Sequence, residues 1–212
     1  MKILTKYIVL VVFAIGLTVS NGHSQQPTAK TFYDIGMKNL NDVEYSEAID
    51  SFQHAIKLKK NYAKAYYAMG NAYFGLHRYD EALEAYKGAV KANPKYADAH
   101  FSVGFLSSML TMDDEAISAF KKAIKYNPKH IKAMLALGDL YNELKKYEEA
   151  NDIFKKAVKV KPKSAEARYK LGVSYIDLST MNIAKAKKEY NLLKMLDKDY
   201  AKDLNTKLKG KK

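Results

Sequence analysis

Few residues in this 212-residue chain stand at spacings that could do chemistry. Gly70 and Gly75 have the outer spacing of a phosphate-cradling loop. Such a loop needs Lys and then Ser or Thr after its second glycine, to reach the phosphates and Mg²⁺; here Leu76 and His77 follow. The histidines, His23, His54, His77, His100 and His130, contain no i, i+4 pair and no HExxH. The helical geometry that turns two imidazoles toward one zinc ion is therefore missing. Asp113, Asp114 and Glu115 are consecutive acids, and the dipole at a helix start accounts for them better than metal binding or acid–base work does. The absence of cysteine excludes disulfides, thiolate metal sites, a cysteine nucleophile and an acylated lipoprotein anchor. The expectation is a chain with no catalytic residues, no metal site and no cofactor: not an enzyme.

Before any fold, the chain opens on a leader. Met1–Lys6 carries two lysines, Tyr7–Val19 is an apolar run of 13 residues, and Ser20–Pro27 is small and polar. Those are the three parts of a secretory signal peptide, and the run falls short of the about 20 residues a membrane span needs. Cleavage after Ser20, Gly22 or Ser24 would start the mature chain near Gln25, with residues 1–24 as the signal and the periplasm or cell envelope as the destination. Retention as an anchor stays open. The rest has an ordinary soluble composition, 28% charged and 48% hydrophobic.

What must position anything functional is a repeat of 34 residues. Gly36, Gly70, Gly104, Gly138 and Gly172 follow one another at that step, as do Ala48, Ala82, Ala116 and Ala150. Four residues after each of those alanines stands an aromatic (Phe52, Tyr86, Phe120, Phe154), and three further on a second alanine (Ala55, Ala89, Ala123, Ala157). Pro94, Pro128 and Pro162 keep the same phase. Counted from Ala63, unit positions 4, 7, 8 and 11 share one face of a helix, and 20, 24 and 27 share a face of the next. Small residues let the two axes approach, rings fill the space between pairs, and proline at position 32 ends the second helix.

These residues resemble the tetratricopeptide repeat family. The unit from Ala63 supplies Tyr66, Met69, Gly70, Tyr73, Ala82, Tyr86, Ala89 and Pro94 of its pattern; the unit from Ile131 supplies Met134, Leu137, Gly138, Tyr141, Ala150, Phe154, Ala157 and Pro162. The resemblance implies an all-α fold, a right-handed α-solenoid of about five helix-turn-helix units starting near residues 29, 63, 97, 131 and 165, over residues 25–208. Stacked units need a terminal cap. Residues 199–208, with Asp199 as N-cap and Tyr200, Leu204 and Leu208 on one stripe, are expected to form it, leaving 209–212 as a basic tail. Departures from the pattern are Asn39 and Lys60 in the first unit, His100 and Ser107 in the third, and Arg168 in the fifth. In the fifth unit a two-residue insertion around Ser179–Asn182 brings Ala186, Tyr190 and Leu193 into phase.

Unit position 5 lies about 100° around the helix from position 4, so positions 5, 9 and 12 form a second stripe. In the family this stripe lines the concave groove. The groove set expected here is Tyr33, Met37, Tyr67, Asn71, Phe74, Phe101, Phe105, Leu135, Asp139, Tyr169 and Val173. Either the position-5 residues pack against neighbouring first helices, or they line a trough for a protein or peptide segment. On the second reading, alanine at Tyr67 and Phe101 would weaken capture and leave stability almost unchanged. Some family members clamp a partner's terminal carboxylates with Lys and Asn; of such a set only Asn71 is kept, so no such clamp is expected.

The function so implied is a non-catalytic interaction scaffold. The net charge of +13 suggests an alternative. A basic surface at Lys121, Lys122, Lys155 and Lys156 would dock an anionic membrane or an acidic envelope protein, unless these lysines are simply a solvated face. A leader makes nucleic acid a poor partner, and self-association through the end units stays open.

Overall fold

The computed structural model describes residues 26–178 and 182–210. The leader expected over residues 1–24, the last two lysines of the tail and residues 179–181 of the expected insertion lie outside them. The described residues form eleven helices and no strand. The first helices of the units are α1 (Ala29–Asn41), α3 (Ala63–Gly75), α5 (Ala97–Met109), α7 (Ile131–Glu143) and α9 (Ala165–Leu178). Each is followed by its second helix: α2 (Tyr45–Leu58), α4 (Tyr79–Ala92), α6 (Asp113–Tyr126), α8 (Tyr147–Val160) and α10 (Ile183–Leu196). Helix α11 (Lys198–Lys209) closes the row.

The repeated glycine has one job, close packing within a hairpin. A Cβ built on Gly36, Gly70, Gly104 or Gly138 would stand 2.4–2.7 Å from the ring of Phe52, Tyr86, Phe120 or Phe154 respectively. Each first helix therefore offers a bare slot, and the position-24 ring of its own second helix fills it. The alanines at positions 20 and 27 beside those rings are fully buried. Between hairpins, α3, α5 and α7 present small or apolar residues to the preceding unit, among them Ala65, Ala68 and Ala72, all buried. In α1 the corresponding places hold Thr31, Asp34, Lys38 and Asn39. That explains Asn39: with no hairpin stacked ahead of it among the described residues, this face meets solvent and is polar.

Each of the first four hairpins turns the same way. The amide of Glu44 donates to Asn39 O at 2.8 Å and that of Val43 to Leu40 O at 3.2 Å, the two bonds of a Schellman turn. Arg78, Met112 and Lys146 repeat it. The residue in the left-handed region is never glycine: Val43 has φ 65°, and His77, Thr111 and Lys145 each have φ 58°. The residue after it doubles as the N-cap of the second helix, and Glu44, Arg78, Met112 and Lys146 make no side-chain capping bond. Ser46, Asp80, Asp114 and Glu148 thus stand one residue inside their helices, where the acids meet the dipole. A left-handed L-residue costs about 1–2 kcal/mol; glycine relieves this but adds back about 0.5–1 kcal/mol of backbone entropy. Val43→Gly and Lys145→Gly, both at exposed side chains, are expected to raise the unfolding free energy by up to about 1 kcal/mol each. Urea titration checks this, and no gain at either site would mean the turns carry no strain.

The fifth unit departs from the plan. Ala186 and Leu193 are fully buried, but Tyr190 is only half-buried. The slot at Gly172 is filled from α11, with Leu204 Cδ2 2.5 Å from where a Cβ would stand. Beside it Arg168 Nη1 meets Glu189 Oε2 at 2.8 Å, with side chains 14% and 10% exposed, and Arg168 Nε donates to Pro162 O at 2.6 Å. Arg168 at an apolar position is thereby explained. Asp199 is not the N-cap of α11. Asp197 is, its Oδ1 accepting from the amides of Asp199 and Tyr200 at 3.0 Å each, and Asp199 sits in the first turn beside the dipole. Fully buried Asn151 and Ser174 pin the fourth unit to the fifth: Asn151 Nδ2 donates to Ser174 Oγ at 2.8 Å, which donates on to Leu171 O.

Candidate partner-binding groove

In the first three units the position-5 rings pack against the second helix of their own unit and the loop that follows it. Tyr33 lies 5.9 Å from the ring of Phe52 and 5.2 Å from that of Tyr62. Tyr67 sits in the same way between Tyr86 and Tyr96, at 5.5 and 5.1 Å, and Phe101 between Phe120 and His130, at 5.9 and 5.0 Å. Each ring is half-buried between its own unit's position-24 aromatic and the ring that ends the loop. These are tilted aromatic pairs that add stability beyond the area they bury. Given these contacts, alanine at Tyr67 or Phe101 is expected to cost stability as well as capture.

One member of the expected set, Leu135, is withdrawn from the open face, and two more, Tyr169 and Val173, are half-buried against the capping helix. Leu135 is 6% exposed and belongs to the central core. Tyr169 and Val173 pack under the capping helix: the Tyr169 ring stacks on Tyr200 at 4.8 Å, and its hydroxyl donates to Asp203 Oδ2 at 2.5 Å. Asp139 stays on the face but is neutralised, its two oxygens taking Lys170 Nζ at 2.8 and 2.9 Å. Met37 is half-buried against the first unit's cluster with Tyr33.

Four of the remaining members converge, while Tyr33 and Tyr67 do not join them. Asn71, Phe74, Phe101 and Phe105 come together with Tyr86, Ser102 and Leu106 around an open hollow of about 220 Å³ between the second and third units. Phe105 is 41% exposed, its ring 6.2 Å from Phe74 and 6.3 Å from Phe101. Asn71 Oδ1 accepts from the Tyr86 hydroxyl at 2.7 Å. That bond fixes the amide, so its NH₂ is the donor left to a guest. Burial pushes the Tyr86 phenol well above its ordinary range and the Tyr96 phenol to about 12, so both stay neutral hydrogen-bonding groups. The hollow thus offers aromatic walls, a fixed carboxamide and the Ser102 hydroxyl. It holds nothing that would act as nucleophile or base.

Ser102 and Tyr86 were missed because the stripe was drawn through positions 5, 9 and 12 alone. Position 6 lies only about 60° from position 9, so a wider stripe includes Ser102 and Lys170. The histidine departures are structural. His100 is 4% exposed, stacked on Tyr126 at 5.4 Å, with Nε2 2.9 Å from Pro94 O; burial lowers its pKa. His130 Nδ1 caps α7 by accepting from the amide of Ala133 at 3.1 Å. Lys121, Lys122, Lys155 and Lys156 are exposed on α6 and α8, away from the hollow. Two of them have neighbours: Lys121 Nζ stands 5.8 Å over the Tyr141 ring, and Lys155 Nζ 3.2 Å from Asp152.

Tetratricopeptide repeat models match residues 63–96, 97–130 and 114–171, and a TPR repeat model matches residues 44–77. Together they span residues 44–171, more than half of the chain. Among solved structures the fold is similar to that of MamA, at 22% identity and TM-score 0.71 over 82% of this chain and 94% of that one. It is similar also to YrrB, a TPR protein with an unusual peptide-binding site, at 22% identity and TM-score 0.70 over 86% and 94%. The MamA fragment 41-end from Desulfovibrio magneticus RS-1 aligns at 19% identity and TM-score 0.70 over 83% and 98%. No curated protein sequence matches the chain.

Proposed function

The chain belongs to the tetratricopeptide repeat family of non-catalytic protein-interaction scaffolds, and from that premise we propose that it captures a peptide segment of a partner protein in the hollow between its second and third units. The observation that carries this is the convergence of Phe74, Phe101 and Phe105 on one open hollow beside the fixed amide of Asn71. An extended segment bearing a large apolar side chain fits such walls, with the Asn71 amide placed to bond its backbone. The charged pair Asp139–Lys170 bounds the apolar surface on one side. The leader read in residues 1–24 supports action in the periplasm or cell envelope.

Phe105 is the member to test, because its exposure lets it be changed with the least loss of packing. Peptides selected from a random displayed library on the wild-type chain are expected to share an aromatic or large aliphatic residue. Phe105→Ser should weaken them at least tenfold while its helical circular dichroism and unfolding midpoint stay near wild type. Undiminished binding to Phe105→Ser, or selected peptides without such a residue, would remove the hollow from the reading.

A further inference from the structure

The solenoid separates charge between its two long edges. Every hairpin turns at one edge and passes to the next unit at the other. At the hairpin-turn edge, acids open the second helices of the second to fourth units, Asp80 and Glu81 in α4, 113–115 in α6, Glu148 and Glu149 in α8, whereas α10 has no acid in its first turn and carries Lys185 there. At the opposite edge the second helices end in lysines. In the last two full units these are Lys159 in the last turn of α8, Lys161 and Lys163 after it, and Lys194 and Lys198 around the end of α10, all exposed, beside the acids Glu166, Asp197 and Asp199 that open the next helices. Among the described residues none of these five lysines takes part in a salt bridge; Lys194 Nζ lies 5.2 Å over the Tyr190 ring. Helix-dipole compensation accounts for a lysine in each last turn, but not for Lys161, Lys163 and Lys198 beyond it.

A second feature coincides with them. Val160, the last residue of α8, is 37% exposed, and Leu196, the last of α10, is 39% exposed; Met195 beside it is 79% exposed. Apolar side chains held out in solvent between free lysines are what an interfacial surface presents. The lysines reach phosphate headgroups while the apolar tips enter the acyl boundary. A soluble polyanion would use the lysines and leave the apolar tips wet. A second copy of a chain with net charge +13 would be repelled as it approached.

We infer that this C-terminal stretch of the inter-unit edge docks on an anionic lipid surface, with Val160, Met195 and Leu196 entering between headgroups. The acids that open α4, α6 and α8 are then turned away from the bilayer. Docking is edge-on, which leaves the hollow on the first helices open, so the inference is independent of the partner assigned there.

Because the chain has no cysteine, a single Met195→Cys carries one environment-sensitive dye in the full chain. Vesicles of phosphatidylcholine with phosphatidylglycerol are expected to shift that dye to an apolar emission, reversed by salt, while pure phosphatidylcholine does not. A dye at Gln53→Cys, exposed on α2, should stay in its aqueous emission, which separates edge docking from any pull by the leader. Lys159→Glu with Lys161→Glu and Lys163→Glu should raise the anionic vesicle concentration needed at least tenfold. Four results would overturn the inference: no shift at position 195, an equal shift at position 53, an equal shift with soluble heparin, or a shift from the protein's own self-association without lipid.

Discussion

Replacing Phe154 with alanine is expected to lower the unfolding free energy by about 3–5 kcal/mol, the range for emptying a buried aromatic site. The ring is fully buried, and its Cε1 would stand 2.4 Å from a Cβ on Gly138. That distance ties the two positions into one device. Gly138→Ala alone gains up to about 1 kcal/mol of helix propensity, but the methyl forces the ring off its seat against a core that cannot yield, a cost of about 1–3 kcal/mol. In the Phe154→Ala background the ring is gone and the methyl enters a void. There the same substitution should be neutral or stabilising, so the coupling in a double-mutant cycle should be at least about 1 kcal/mol. Urea unfolding followed by helical circular dichroism reads all four corners. Strict additivity would mean that the slot-and-ring contact does not hold the hairpin together.

That slot is also why so much of the fold could be read directly from the residues. A glycine that must admit a ring, and a ring that must find a glycine, leave marks at a fixed step; Gly36 with Phe52 and Gly104 with Phe120 are as plain in the sequence as in the packing. Where contacts depend on geometry across a loop, the marks fade. The rings of Tyr62 and Tyr96 close over Tyr33 and Tyr67, and nothing in a single helix's periodicity announces that a residue ending a loop will fold back onto position 5. The candidate groove was therefore legible as a stripe but not as a site. The stripe held Asn71, Phe74, Phe101 and Phe105, which do meet, and also Leu135, which is buried in the core, and Tyr169 and Val173, which pack in part against the capping helix. At the C-terminal end the in-phase Tyr190 suggested one more ring in one more slot. There the next element is a lone helix rather than a hairpin, and Leu204 comes from it to take the glycine.

Arg168→Ala is expected to cost about 3–5 kcal/mol, and Glu189→Ala a similar amount, because each leaves the other's charge almost buried and unpaired. The arrangement follows from that same end of the stack. Leu204 fills the slot at Gly172, Glu189 Cβ lies 3.4 Å from where a Gly172 Cβ would stand, and the carboxylate beyond it meets the guanidinium at 2.8 Å. Arg168 is held from its other side by Pro162 O at 2.6 Å. A lysine, with a point charge and no fork, could not serve both acceptors in this geometry. The physical claim is that the pair sets how α10 seats on α9 rather than adding net stability. Replacing both residues together, as Arg168→Met with Glu189→Leu, should accordingly recover most of what either single change loses, since two desolvated charges are exchanged for apolar contact. If the double variant were as unstable as the singles, the charge pair would be a net source of stability in the fifth hairpin, and the α9–α10 contact could not be described as packing alone.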